Sequence, residues 1–174
     1  MINYIKGDLF KLLPEDDNFK IIPHVVNDEG AWGSGFVVPV SEKWPMELEF
    51  ESPEYVYRNE HESQNGLVLG KVQWSYPVKS NQLSTVAVVN MIAQHQTIRS
   101  IEKPIRYEAL ISCMCEVRDQ LLRRLEMKGK WHNQDDEIHC PKFGSDRAGG
   151  TWEFIVELIE ELWCPYAPVT VYEL

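Results

Sequence analysis

No apolar run in this chain approaches the ~20 consecutive residues that a membrane span requires, so a membrane protein is not expected. The start, Met1 to Asp8, lacks the basic, apolar and small-residue succession of a secretory signal. The two observations together lead us to expect a cytoplasmic protein. Positive charge is scarce: 17 Lys and Arg stand against 27 Asp and Glu, a net charge of −10. Proteins that grip a nucleic-acid backbone carry basic patches, so nucleic acid is not an expected partner. Cysteine is sparse too, at four residues. Cys113 and Cys115 point to different sides of a helix, and neither they, Cys140, Cys164, His132 nor His139 have the spacing of a zinc site. All four are read as reduced thiols, with no metal and no cofactor. Repeats, linkers and low-complexity tracts are absent.

What is present fits one domain spanning residues 1–174. Hydrophobic residues make up 44% and charged residues 25% of the chain, enough to build a core at this length. An acidic balance does not exclude an anionic small ligand, because backbone amides hold phosphate locally.

One stretch organises the rest. An apolar run, Lys20-Ile21-Ile22, leads into Pro23-His24-Val25-Val26-Asn27-Asp28-Glu29-Gly30-Ala31-Trp32-Gly33-Ser34-Gly35-Phe36. A glycine-rich turn between a strand and a helix presents amide N–H groups with no side chain in the way. A second such turn, Pro141-Lys142-Phe143-Gly144-Ser145-Asp146-Arg147-Ala148-Gly149-Gly150, follows a short strand at 137–140. Ligands in open α/β sheets sit at the carboxyl ends of strands, so the two turns are expected to meet at one cleft.

Around them the chain alternates. A first strand is expected over residues 2–5 and a short helix after Asp8, which either caps it or faces a ligand. Further strands are expected at 20–26, 67–69, 72–76, 85–92 and 169–172. Helices are expected over 34–44, 105–127 and 151–163. Residues 46–65 read as a surface excursion with a helical turn, closed by a turn at Asn65-Gly66; Lys79 to Gln82 reads as another turn. Glu47, Glu49, Glu51 and Glu54 read as a solvated face. The alternation implies an α/β sheet with helices on both faces.

Tyr4-Ile5-Lys6-Gly7-Asp8-Leu9-Phe10, the string from His24 to Gly35, Pro141 to Ser145, and Val169 to Leu174 together resemble a macro domain over nearly the whole chain. The likeness is nearest to the branch holding the yeast-type ADP-ribose-1″-phosphate phosphatase and the terminal ADP-ribose protein glycohydrolase. It implies a three-layer α/β/α fold with a mixed central sheet. The implied ligand is ADP-ribose or ADP-ribose-1″-phosphate, with ADP-ribosylated protein as a further partner; apart from the resemblance, a monomer is expected. Carried over by position, Asp8 holds the adenine amino group and Leu9 packs near the base, with Tyr172 and Leu174 lining the adenine pocket. Asn27 meets the distal ribose beneath Trp32. Gly33, Ser34, Gly35 and Phe36 serve one phosphate, and Gly144, Ser145, Asp146 and Arg147 the other.

The implied activity is hydrolysis of ADP-ribose-1″-phosphate, with His24, Asn27 and Asp146 as candidate catalytic residues. His24 would titrate near neutrality and activate water or protonate the sugar oxygen. A histidine simply bonded to backbone remains the alternative. Removal of ADP-ribosyl or acyl groups from the distal ribose is a second reading, and binding without turnover a third. The glycohydrolase lysine has Gln94 at its position, with His95 beside it, which argues against a lysine-based mechanism.

Overall fold

The computed structural model describes residues 1–45, 52–63, 66–77, 84–96 and 103–174. Its centre is a six-stranded sheet in the order β1-β6-β5-β2-β4-β3. The strands are β1 (Ile2–Lys6), β2 (Phe19–Asn27), β3 (Val72–Ser75), β4 (Val86–Gln94), β5 (Asp136–Pro141) and β6 (Val169–Glu173). All neighbours run parallel except β3, which lies antiparallel to β4 at the edge. The helices are α1 (Leu9–Leu12), α2 (Val37–Lys43), α3 (Pro53–Glu62), α4 (Tyr107–Met127) and α5 (Trp152–Leu162).

The near-continuous apolar runs of β2 and β4 follow from burial on both faces. Successive residues alternate between two cores. Ile21, Val89 and Met91 join Leu110, Met114, Val117 and Ile155 under α4 and α5. Ile22, Val26, Val88 and Ile92 join Leu9, Val40 and Tyr57 under α1, α2 and α3. Each such side chain contributes about 1.5–3 kcal/mol on burial, so the two cores fix which helices lie on which face. The result is three layers around a mixed sheet, as the family resemblance implies. On α4 the buried residues Leu110, Cys113, Met114, Val117 and Leu121 recur at helical spacing. The indole of Trp163, just beyond α5, donates to the Met114 carbonyl at 3.0 Å and locks the two helices together.

Three local expectations need correction. The helix expected over 34–44 begins only at Val37, because Gly33 and Ser34 bend, Gly35 and Phe36 form a turn, and Gly35 has φ 77°. The expected helical turn within 46–65 is the ten-residue helix α3. Ser52 caps it through Tyr55 N–H at 3.3 Å, Pro53 opens it, and Tyr57 is fully buried. Residues 67–69 form no strand; Leu67 and Leu69 instead pack against the cores. Glu47, Glu49, Glu51, Asn65 and the turn at 79–82 lie outside the described residues.

Candidate ligand cleft

The cleft exists because two neighbouring strands part. β2 and β5 pair only from Phe19↔Asp136 to Ile21↔Ile138. Phe19 N–H donates toward β5, to Asp135 O at 2.8 Å, and Lys20 N–H toward β4, to Thr85 O at 2.8 Å. By this alternation the next position due to donate toward β5 after Ile21 is Pro23, which has no N–H. Beyond it the strands diverge, with the Val25 N–H turned toward the gap. The chain leaving β2 crosses to the α2 face, and the chain leaving β5 crosses to the α5 face. A crevice at such a topological switch is the usual ligand position in open α/β sheets. Here it is a cavity of about 500 Å³. Both glycine-rich turns line it: Ala31 to Val37 on one side, Pro141 to Gly144 and Asp146 to Ala148 on the other, with His24 to Asn27 and Gln94 at the base.

The first turn is held by Asn27. Its Oδ1 accepts from Glu29 N–H and Ala31 N–H, each at 3.0 Å, and its Nδ2 donates to Ala31 O at 2.7 Å. The buried Tyr57 hydroxyl lies 2.7 Å from Asn27 O and 3.0 Å from its Oδ1. Burial pushes that phenol well above its ordinary pKa, so it stays a donor. Asn27 therefore spends most of its carboxamide on the turn and reaches the cavity with little left for a ribose. Gly30, at φ 77°, packs so closely on the His61 ring that an added Cβ would lie 2.5 Å from it. Trp32, also in the wall, donates from Nε1 to Ser41 Oγ at 2.7 Å, and Ser41 donates on to Glu54 at 2.7 Å. Glu54 pairs with Arg58 at 2.8 Å and is not a merely solvated carboxylate. Thus α3, expected from the sequence only as a single turn, braces this wall.

His24 needs the clearest correction. It is 1% exposed, packed between the rings of Trp32 and Phe36. Its Nε2 is 2.8 Å from Asn90 Oδ1. Asn90 Nδ2 faces two acceptors, Pro53 O at 3.1 Å and Gln73 Oε1 at 3.2 Å, so Oδ1 is the atom left to face the imidazole. His24 is consequently the Nε2–H tautomer, and its buried Nδ1 has no partner among the described residues. Desolvation lowers its pKa from 6.5 to about 4. The expected titration near neutrality does not occur, and His24 is a neutral wall residue.

The second turn closes on itself. Gly150 N–H donates to Gly144 O at 2.8 Å, and a Cβ at Gly150 would collide with that carbonyl. Asp146 and Arg147 project outward, exposed, into the cavity mouth. Among the described residues no carboxylate pairs with Arg147. Lys142, which sequence reasoning passed over, also lines the mouth, between Glu173 at 3.4 Å and the Trp152 ring at 5.5 Å.

Asp8, Leu9, Ser145 and Tyr172 do not line this cavity. The Asp8 carboxylate caps α1 through Phe10 N–H at 3.0 Å. Leu9 is core. Ser145 donates to Lys142 O at 3.2 Å. The Tyr172 hydroxyl is 2.9 Å from His139 Nδ1, and His139 Nε2 is 3.1 Å from Glu137. Leu174 is fully exposed.

The fold and cleft define a three-layer α/β/α protein with a crevice at the carboxyl edge of its sheet, lined by two glycine-rich turns. No protein-family profile matches the chain. It is 36% identical to the macrodomain protein of Streptomyces coelicolor, with a TM-score of 0.72, covering 100% of this chain and 99% of that one. A protein of unknown function from Bacteroides thetaiotaomicron is 35% identical, with a TM-score of 0.79 and coverage of 100% and 98%. The ADP-ribose 1″-phosphate phosphatase of Lodderomyces elongisporus is 22% identical over 166 residues, 92% of each chain. The chain belongs to the macrodomain family.

Proposed function

We propose that the cleft binds ADP-ribose and that the protein hydrolyses ADP-ribose-1″-phosphate to ADP-ribose and phosphate. The observation that carries this is the convergence of two glycine-rich turns, from diverging neighbouring strands, on one cavity. Turns of this kind offer amides to a diphosphate without needing a basic protein, and Arg147 adds a charge suited to phosphate. The likeness to a phosphatase of that substrate supports the choice of reaction.

Phosphomonoester hydrolysis asks chiefly for positioning and for stabilisation of charge on the transferring group. The amides of Gly33 to Phe36 and of Gly144, Asp146 and Arg147 supply both in this reading. Asn27 and Trp32 shape the sugar end. The adenine lies beyond the cavity, toward Asp8 and the end of β6.

Calorimetry with ADP-ribose, then phosphate release from ADP-ribose-1″-phosphate on the same sample, tests the proposal. Binding with release supports it. Binding without release reduces the protein to a reader, and no heat of binding removes the whole reading. Release of ADP-ribose from modified proteins in place of phosphate assigns the second activity instead.

A further inference from the structure

We propose that Ser41 and Glu54 are positioning residues of the cleft: through a relay of hydrogen bonds they hold the Trp32 indole as the surface on which the distal sugar of the ligand packs. The inference rests on the ADP-ribose reading above. It assigns the preference for a sugar-bearing diphosphate over a bare nucleoside diphosphate to two residues outside the cavity lining.

Trp32 lines the cavity and is buried. No helix or strand holds it, and its turn has Gly30 at φ 77° on one side and Gly33 on the other. Glycine leaves such backbone many alternatives, so the side chain must be fixed by its own contacts. Two rings pack on it: His24 lies edge-on with centroids 5.9 Å apart, and Tyr57 is tilted at 5.0 Å. The polar edge is fixed by Ser41. Indole Nε1–H can only donate, and it donates to Ser41 Oγ at 2.7 Å. The single hydroxyl proton of Ser41 goes to Glu54 Oε2 at 2.7 Å, because a carboxylate only accepts. A lone pair of Ser41 is thereby turned to Trp32. Glu54 is anchored in its turn: its Oε1 accepts from Arg58 Nε at 2.9 Å and from Arg58 Nη2 at 2.8 Å. The relay thus runs one way, from the first turn through α2 to α3, and its charge-assisted end strengthens the bonds behind it.

The relay also decides what Trp32 shows to a ligand. With Nε1–H spent on Ser41, the indole has no donor left for a phosphate oxygen and offers only its apolar ring. Its neighbours in the lining include Ala31, Phe36 and the neutral His24. The cations of the lining among the described residues, Lys142 and Arg147, both belong to the second turn. A sugar ring has an apolar C–H face that suits the Trp32 end, while a diphosphate suits the amides and cations. Apolar walls with a few placed polar groups are the usual make-up of a small-ligand site.

Calorimetry with ADP-ribose and with ADP, which lacks only the distal sugar, tests this on the parent, Ser41→Ala, Ser41→Thr and Glu54→Ala. The parent should prefer ADP-ribose by about tenfold. Ser41→Ala frees the indole, so ADP-ribose should weaken by about five- to tenfold while ADP stays within about twofold. Glu54→Ala leaves the Ser41 proton without its acceptor and should give a selective loss of about fivefold. Ser41→Thr keeps the hydroxyl and should keep the parent's preference. The Trp32 indole N–H resonance should move in Ser41→Ala and return in Ser41→Thr. A purely structural role would weaken both ligands together. Equal losses for ADP-ribose and ADP, or no loss for either in the folded Ser41→Ala and Glu54→Ala proteins, overturn the proposal. A parent that binds ADP-ribose no better than ADP overturns it as well and leaves the ADP-ribose reading standing. A parent that gives no heat with ADP-ribose removes the reading and the proposal together.

Discussion

His24 and Asn90 face each other across the β2–β4 pair, register partners whose side chains bond at 2.8 Å inside the core. The contact turns a residue with acid–base potential into a structural donor, and this has a measurable consequence. A histidine held near pKa 4 when folded and 6.5 when unfolded binds its proton more tightly in the unfolded chain. Its contribution is complete above about pH 6.5 and is lost as pH falls toward 4. The gap corresponds to about 3 kcal/mol. Denaturant titrations at pH 7 and pH 4.5 should show the parent losing stability that His24→Gln does not lose. Burial also lowers the His139 pKa, which adds a slope of the same sign to both proteins, so the difference between them is the readout.

The brace from α3 predicts a different split. Tyr57→Phe removes one hydroxyl from Asn27 and leaves the volume intact. A lost buried hydrogen bond costs about 1–2 kcal/mol, to be read by chemical denaturation. The turn from Asp28 to Ala31 then has more freedom for a ligand to remove, and ADP-ribose affinity should fall by about fivefold. Unchanged affinity with reduced stability would confine Tyr57 to the core.

Gly30 tests the same wall by steric means. Gly30→Ala meets both a left-handed backbone and the His61 ring, 2.5 Å from the new carbon. The backbone alone costs about 1–2 kcal/mol, and the overlap adds to it. Combining Gly30→Ala with His61→Ala should recover the overlap but not the backbone cost. Additive losses in the double variant would show that the ring moves aside freely.

The cleft was legible in the sequence because its cause is local. Glycines between a strand run and a helix run mark each turn, and both turns stand where the alternation of elements puts strand ends. Pro23 was legible as well, though its effect on the β2–β5 ladder required knowing which strand lay beside it. The choice between a catalytic and a structural His24 was not legible because burial is a tertiary property: nothing in Pro23-His24-Val25 says that Trp32, Phe36 and Asn90 will enclose the ring. The α3 helix was read as a single turn because its polar, aromatic-studded sequence buries only Pro53 and Tyr57, too few to make a stripe.

Arg147 bears on the charge balance at the mouth. It is exposed, lines the cavity and meets no carboxylate among the described residues, in a chain of net charge −10. A phosphate placed between the turns would gain a charge-assisted hydrogen bond that no other free cation in the wall replaces among the described residues, since Lys142 is shared with Glu173 and the Trp152 face. Arg147→Ala should weaken ADP-ribose by about tenfold, or about 1.4 kcal/mol. Because the pair is exposed, salt screens it: raising ionic strength should weaken the parent toward the variant, while the variant changes little. Arg147→Lys should recover only part of the loss, lacking the planar fork that grips two phosphate oxygens. Calorimetry at two salt concentrations reads all three proteins, and an Arg147→Ala protein as salt-sensitive as the parent would place the phosphate away from the second turn.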